Sequence, residues 1–84
     1  MKILHLVRQA SDPFPFWVME NQGRENQVTC VLIQDACLTT HPIKVPCYLL
    51  KEDAEARGIT TSRPLIDFKQ LVDMIFNHDR LSCW

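Results

Sequence analysis

The chain has 84 residues, 46% of them hydrophobic, a net charge of −1 and four cysteines. This length predicts one domain, residues 1–84, with a thin core, because folding so small a chain buries only about 60–65% of its surface. Basic and acidic residues are interspersed, which disfavours direct nucleic-acid binding through phosphate neutralisation, and no apolar run approaches the length of a membrane span. The opening MKILHLVRQ lacks the apolar core of an export signal, so we expect a cytoplasmic protein.

The first third of the chain predicts a strand, a helix and a second strand. Residues 2–7 (KILHLV) form an apolar run of strand length. The stretch 11–13 (SDP) predicts a helix start, and this helix should end near Gly23. On one side it is expected to carry three large apolar residues, Phe14, Trp17 and Val18. Residues 28–34 (VTCVLIQ) are almost continuously apolar, which is typical of a strand in a parallel sheet that is covered on both faces.

Residues 45–50 (VPCYLL) predict a third strand that runs directly into a charged helix. Acidic residues fill the first turns of that helix, where they are expected to cap the free N–H groups: Glu52, Asp53 and Glu55. Arg57 lies at the negative end, and Gly58 can adopt the left-handed conformation that ends a helix. A helix start occupied by acids repels anions, and the chain has only two glycines, so nucleotide binding is not expected.

The last helix has the strongest pattern. Its apolar residues recur at the spacing of one helical face: Phe68, Leu71, Val72, Ile75 and Phe76. Asp67 is a good N-cap with Gln70 three residues later. A short strand at 63–66 should precede this helix, and residues 80–84 should follow it as a final strand or a tail. The whole order predicts a layered α/β domain with a mostly parallel sheet of four or five strands.

The connection between the second and third strands is unusually short. Only nine residues separate Asp35 from Val45, whereas parallel neighbours normally need a dozen or more. Nine extended residues span about 30 Å, which is enough to return along a short strand but not to build a covering helix. We therefore expect one apolar face of strands 28–34 and 45–50 to lack a lid within the chain, and another subunit to cover it.

Five stretches, in order along nearly the whole chain, carry a family resemblance: ILHLV, VLIQDA, IKVPCYLLKEDAEARGI, PLIDFKQLVDM and the final Trp84. On these stretches the chain resembles the DsrH/TusB family of small sulfur-relay proteins, in the DsrE/DsrF/DsrH-like superfamily. The resemblance implies a three-layer α/β/α fold, here with the helix between strands 2 and 3 shortened or absent. It also implies a cytoplasmic subunit of a heterohexamer of homologous chains that passes persulfide sulfur along cysteines, either for 2-thiouridine in tRNA or for sulfur oxidation.

Two cysteines are candidate sulfur carriers. Relatives with a relay cysteine carry it in the first helical region, but residues 9–27 of this chain contain none, so the resemblance favours an accessory role. Cys37 follows a strand, beside Asp35 and near His41, where an exposed thiol and an imidazole could favour persulfide exchange. The alternative is a partly buried residue that begins a loop. Cys83 could be exposed near the end of the chain, although little there would tune its pKa.

The remaining cysteines and histidines are expected to be structural. Cys30 and Cys47 lie inside apolar strands and should be buried as small hydrophobic residues. With no export signal, reduced thiols are expected, and no second pair at zinc spacing accompanies Cys37 and His41, so we expect neither metal nor cofactor. His5 should be a hydrogen-bonded core or edge residue. Trp84 could anchor the tail in a core groove or at a subunit contact.

Three functional hypotheses follow. The first is a non-catalytic sulfur-relay subunit that acts through assembly with homologous small α/β subunits. The second is a self-associating α/β module without sulfur chemistry, which would form a homo-oligomer. The third is a true thiol carrier that uses Cys37 or Cys83.

Overall fold

The structure, a computed structural model, describes residues 1–84 as five strands, three α-helices and a short 3-10 helix. The strands are Lys2–Val7 (β1), Gln27–Leu32 (β2), Cys47–Leu50 (β3), Leu65–Ile66 (β4) and Arg80–Cys83 (β5). The α-helices are Phe14–Gln22 (α1), Lys51–Ala56 (α2) and Phe68–Asn77 (α3), and the 3-10 helix spans Gln34–Leu38. All strands are parallel, in the order β4-β3-β2-β1-β5. The predicted three-layer α/β/α fold with a parallel sheet is confirmed.

The strand order places the helices unequally on the two faces of the sheet. From β1 to β4 the chain moves one strand at a time towards one edge, and α1, the 3-10 helix and α2 all lie on the same face, here called the α1 face. The chain then crosses back over the sheet through α3 to β5, which pairs with β1 at the other edge. Only α3 lies on the second face, here called the α3 face.

The α1 face is sealed by the chain itself, and the expected open face over the short link is wrong. The link forms the 3-10 helix, whose Ala36 and Cys37 are buried in the core of this face. Ile43 and Val45 pack against the same core from the loop that follows. Because β3 has only four residues, a 3-10 turn and an apolar loop are long enough to cover it.

The thin cover lies on the α3 face instead. A compact cluster of five residues is buried there beneath α3: Leu4, Val31, Leu50, Ile66 and Leu71. Around it, Leu6, Ile33 and Tyr48 are only partly buried. One ten-residue helix is about 15 Å long and 10 Å wide, which is too small to cover five strands spaced about 4.8 Å apart. The topology, and not the short link, leaves apolar surface open.

Helix α1 buries a different side from the one predicted. Phe16 and Met19 are buried in the core, whereas Phe14 and Trp17 are more than half exposed. Within each pair the two residues are three positions apart. Apolar residues therefore surround most of this helix, and their periodicity does not select which side is buried.

The predicted features at the later helix ends are local, and the structure confirms two of them. Asp67 Oδ1 accepts a hydrogen bond from the Gln70 N–H at 2.7 Å, and Gln70 Oε1 accepts one from the Asp67 N–H at 2.9 Å, which together form a capping box at the start of α3. Gly58, just after α2, has a φ of 63°, the left-handed conformation for which glycine was expected.

Candidate functional site: the thiols and the exposed surface of the third helix

Cys37 lies in the 3-10 helix, beyond the carboxyl end of β2, and its side chain points into the core. The thiol donates a weak hydrogen bond to the Leu32 carbonyl oxygen at 3.5 Å. Burial, and then the negative charge of Asp53, raise the pKa of Cys37 to about 11, although Arg57 partly opposes this rise. At neutral pH the group is therefore a protonated thiol, whereas persulfide exchange requires an accessible thiolate.

The neighbours that could have activated Cys37 are engaged elsewhere. The Asp35 carboxylate accepts hydrogen bonds from Arg57, from Nε at 3.0 Å and from Nη2 at 2.9 Å. The His41 ring stacks on Phe16 with the ring centroids 5.1 Å apart. The structure therefore does not assemble Asp35, Cys37 and His41 into a hydrogen-bonded group.

Cys83 is the one exposed cysteine. It lies on the edge strand β5 opposite Leu6 of β1, so its side chain projects from the α3 face. This placement makes the Cys83 thiol accessible to solvent in the isolated chain, and it puts the thiol on the same side of the sheet as the open apolar surface.

Cys30 and Cys47 are buried as predicted, but they also form a pair that the sequence did not reveal. They occupy directly opposed positions on β2 and β3, and both side chains belong to the core of the α1 face. The proximity of the two thiols raises the pKa of Cys30 and lowers that of Cys47; burial adds to the rise at Cys30 and opposes the lowering at Cys47. The Cys47 thiol itself donates a weak hydrogen bond to the Tyr48 carbonyl oxygen at 3.9 Å. Arg63 also lowers the pKa of Cys47.

A polar clamp joins the 3-10 helix to α2, and it overturns the prediction that the acids of α2 cap their own helix. The start of α2 has no side-chain cap. Asp53 Oδ2 instead accepts a hydrogen bond at 2.7 Å from the backbone N–H of Gln34, which has an unusual φ of 50°. Arg57 completes the clamp through Asp35, so the VLIQDA and KEDAEARGI stretches are bonded to each other. Asp53 serves a tertiary contact because the backbone N–H of Gln34 has no strand partner at that point.

His5 and Trp84 form a second polar network, which is partly buried. The Trp84 indole N–H donates to His5 Nδ1 at 2.9 Å, so the Nε2 of the ring carries the proton and faces Gln22 Oε1 at 2.6 Å. Burial lowers the pKa of His5, and the bond to Gln22 opposes that effect. His5 is thus the hydrogen-bonded core histidine that was predicted. Trp84 anchors the tail against the core, the first of its two predicted roles.

The thiols neither form a metal site nor line a surface depression. No group of three or more His, Cys, Asp or Glu residues is arranged to hold a metal ion. The four surface depressions are open and mainly polar in their lining residues, and no cysteine lines any of them.

The outer side of α3 carries an exposed apolar ridge. Leu71 is buried and Met74 and Ile75 are partly buried, so only this side of the predicted apolar stripe faces the sheet. The rest of the stripe is exposed, and we call it the α3 ridge: Phe68, Val72 and Phe76. The ridge residues are spaced four apart and form a continuous row, in which the Phe76 side chain is 83% exposed. Such a row in a chain this small is typical of a protein–protein contact.

The family model described as "DsrH like protein" matches residues 24–81, well over half of the chain. The chain belongs to the DsrH family. No curated protein matches it closely enough to add a relative. Membership in the DsrH family indicates a sulfur-relay subunit, and it confirms the family resemblance seen in the sequence.

The matched residues contain some of the structural features of the chain and exclude others. It includes the polar clamp, the Cys30–Cys47 pair and the α3 ridge, whereas β1 and α1 lie outside it. This DsrH family protein has no cysteine between residues 9 and 27. None of its helices has the length and apolar character needed to cross a membrane.

Proposed function

We propose that this DsrH family protein is a non-catalytic, accessory subunit of a cytoplasmic persulfide sulfur-relay complex, of the tRNA 2-thiouridine type or the sulfur-oxidation type. It binds homologous small α/β subunits, and it contributes a binding surface to the complex and not a relay thiol. The observation that carries the proposal is the α3 ridge on the thinly covered face of the sheet.

The position of the α3 ridge supports assembly through this face. Partly buried strand residues of the same face, Leu6, Ile33 and Tyr48, pack against the cluster between α3 and the sheet, so both the helix and the sheet present apolar side chains on this face. Exposed aromatic residues are enriched at the centres of protein interfaces. Each apolar side chain that a partner covers contributes to association in proportion to the area it removes from water, at roughly 25 cal/mol per Å².

The state of the cysteines supports a non-catalytic role. Cys37 is buried and its pKa is raised to about 11, so it offers little thiolate at neutral pH. Cys83 is exposed, but it projects from the α3 face, where a docked partner would lie over it or beside it.

The assembly role is tested by co-purification with homologous small α/β subunits encoded in the same genome. Phe68→Glu places a charge on the α3 ridge, and Trp17→Glu is its matched control, because both residues are 55% exposed and they lie on helices of opposite faces. We expect Phe68→Glu to lower the recovery of partner by about tenfold or more, since burying an unpaired charge costs several kcal/mol. Trp17→Glu should leave recovery unchanged.

Native mass spectrometry of the purified material separates the rival hypotheses. A mixed complex supports the proposal, whereas a complex of identical chains only supports the self-associating module. A wild-type chain that stays monomeric with every homologous partner would refute assembly altogether.

The non-catalytic role has its own test. In a deletion strain, the Cys37→Ser, Cys83→Ser double variant should restore 2-thiouridine in tRNA, or sulfur oxidation in a host of that type, as fully as the wild type does. Loss of activity in either single variant, with the complex still assembled, would instead identify a thiol carrier.

A further inference from the structure

The Cys30–Cys47 pair has the placement of a disulfide that has not been closed. The two residues are register partners on neighbouring parallel strands, with side chains on the same face. Neighbouring strands lie about 4.8 Å apart, and the Cα atoms of disulfide-bonded residues are usually about 4.4–6.8 Å apart. Both side chains belong to one buried core cluster, so the strand register and the shared face bring the two thiols together.

We propose that Cys30 and Cys47 are an oxidisable dithiol, which a small-molecule disulfide converts into a reversible intrachain disulfide between β2 and β3. This modification site is distinct from the proposed assembly surface, because it lies in the core of the opposite face. The inference does not depend on the sulfur-relay role.

The reaction is two successive thiol–disulfide exchanges. The Cys47 thiolate attacks one sulfur of the small disulfide, its S–S bond breaks, and one small thiolate leaves and takes up a proton. Cys30, after losing its proton to solvent, attacks the Cys47 sulfur of the mixed disulfide and releases the second small thiol. The protein loses two electrons and two protons in total, and the small disulfide gains them.

Position and chemistry both make Cys47 the attacking group. Cys47 is the first residue of β3, a four-residue strand next to the two-residue β4, and it follows the loop 39–46. Cys47 retains 9% exposure there, whereas Cys30 lies within the central strand of the sheet and is completely buried. The adjacent Cys30 thiol and the nearby Arg63 also lower the pKa of Cys47 and favour its thiolate.

Cys37 belongs to the same core but is a poorer partner. Its thiol is directed at the Leu32 carbonyl oxygen, and burial raises its pKa to about 11. Cys37 lies on the 3-10 helix and not on a strand paired with β3, so no register holds it opposite Cys47.

The test uses the full-length chain and oxidised glutathione as the probe. In the Cys37→Ser, Cys83→Ser variant, incubation under native conditions, quenching by alkylation in denaturant and intact mass spectrometry should show a loss of about 2 Da, which marks one internal disulfide. Peptide mapping should join the Cys30 and Cys47 peptides, and a thiol reductant should restore the original mass.

Three results would overturn the proposal: two thiols that both remain free after prolonged incubation, a stable glutathione adduct without an internal disulfide, or a disulfide between chains. The control replaces Cys30 by Val in the same background and should never show the loss of about 2 Da. The wild-type chain, mapped in the same way, guards against a variant that fails to fold. A Cys37–Cys47 bridge in the wild-type chain would refute the assigned pair.

Discussion

The two faces of the sheet differ in how completely the chain's own helices and loops cover them. On the α1 face, two α-helices, the 3-10 helix and an apolar loop of the same chain seal the core, which holds the buried cysteine pair and His5. On the α3 face, one amphipathic helix lies over five strands, and the α3 ridge on its outer side is exposed to solvent. Strand order therefore decides which face of a small α/β domain stays thinly covered: consecutive crossovers accumulate on one face, and the single return crossover cannot cover the other.

The largest loss of unfolding free energy is expected from a substitution in the core of the α1 face, in contrast to one on the α3 ridge. Leu49→Ala removes a fully buried side chain of the α1 face and should lower the free energy of unfolding by about 2–5 kcal/mol. Val72→Ala on the α3 ridge should change it by less than about 0.5 kcal/mol in the isolated chain. Urea denaturation measures both values, and similar losses in the two variants would contradict the difference between the faces.

The polar clamp should have an intermediate effect. Asp53→Ala leaves the backbone N–H of Gln34 without its acceptor and should cost about 1–2 kcal/mol of unfolding free energy. Glu55→Ala, in the same helix, breaks only an exposed contact with Lys51 and should cost less than about 0.5 kcal/mol. If both variants unfold at the same urea concentration, the clamp does not stabilise the α1 face.

Acid should weaken the sealed face gradually through His5. Burial lowers its pKa in the folded state below the ordinary value of 6.5, so the unfolded chain binds the proton more readily. Stability is therefore complete above about pH 6.5, falls as the pH drops below it, and stops falling for this reason below the lowered folded-state pKa. Thermal unfolding measured between about pH 7.5 and about pH 5 should show this fall in stability, because histidine ordinarily titrates within that range.

His5→Gln is the control for this dependence, because glutamine can still accept the Trp84 indole N–H but does not titrate. Compared with the wild type, this variant should lose most of the fall in stability below pH 6.5. An unchanged slope would assign the pH dependence to other groups.

The smallest effect on stability should accompany a large effect on association. Phe76→Ser removes the most exposed large apolar side chain and should leave the unfolding free energy within about 0.5 kcal/mol. The same variant should bind a homologous partner more weakly, as isothermal titration calorimetry would measure. A marked loss of stability in the isolated chain would mean that Phe76 packs within its own subunit.

The features that the sequence predicted well depend on near neighbours in the chain. The capping box of Asp67 and Gln70 spans three residues, and the left-handed Gly58 follows directly from the end of α2. The parallel sheet followed from unbroken apolar strands that alternate with helices. The burial of Cys30 and Cys47 followed in the same way from their strands.

The features that the sequence did not predict depend on contacts between distant segments. The bond between Gln34 and Asp53 joins residues 19 positions apart, so the acidic start of α2 was interpreted as a cap. The pairing of Cys30 with Cys47 requires the strand register, which no local pattern encodes. The open face was predicted from the length of one link, whereas its true position depends on the return crossover through α3.

Hydroxyl-radical footprinting of the assembled complex shows which face of the sheet binds a partner, because it reports the exposure of individual aromatic side chains on both faces at once. In the isolated chain, Phe76 and Trp17 should both be oxidised, since both are exposed. In the complex with homologous subunits, we predict that Phe68 and Phe76 become protected while Trp17 remains as reactive as before. Protection of Trp17 with an unprotected α3 ridge would show that partners bind the sealed face, and would contradict the account.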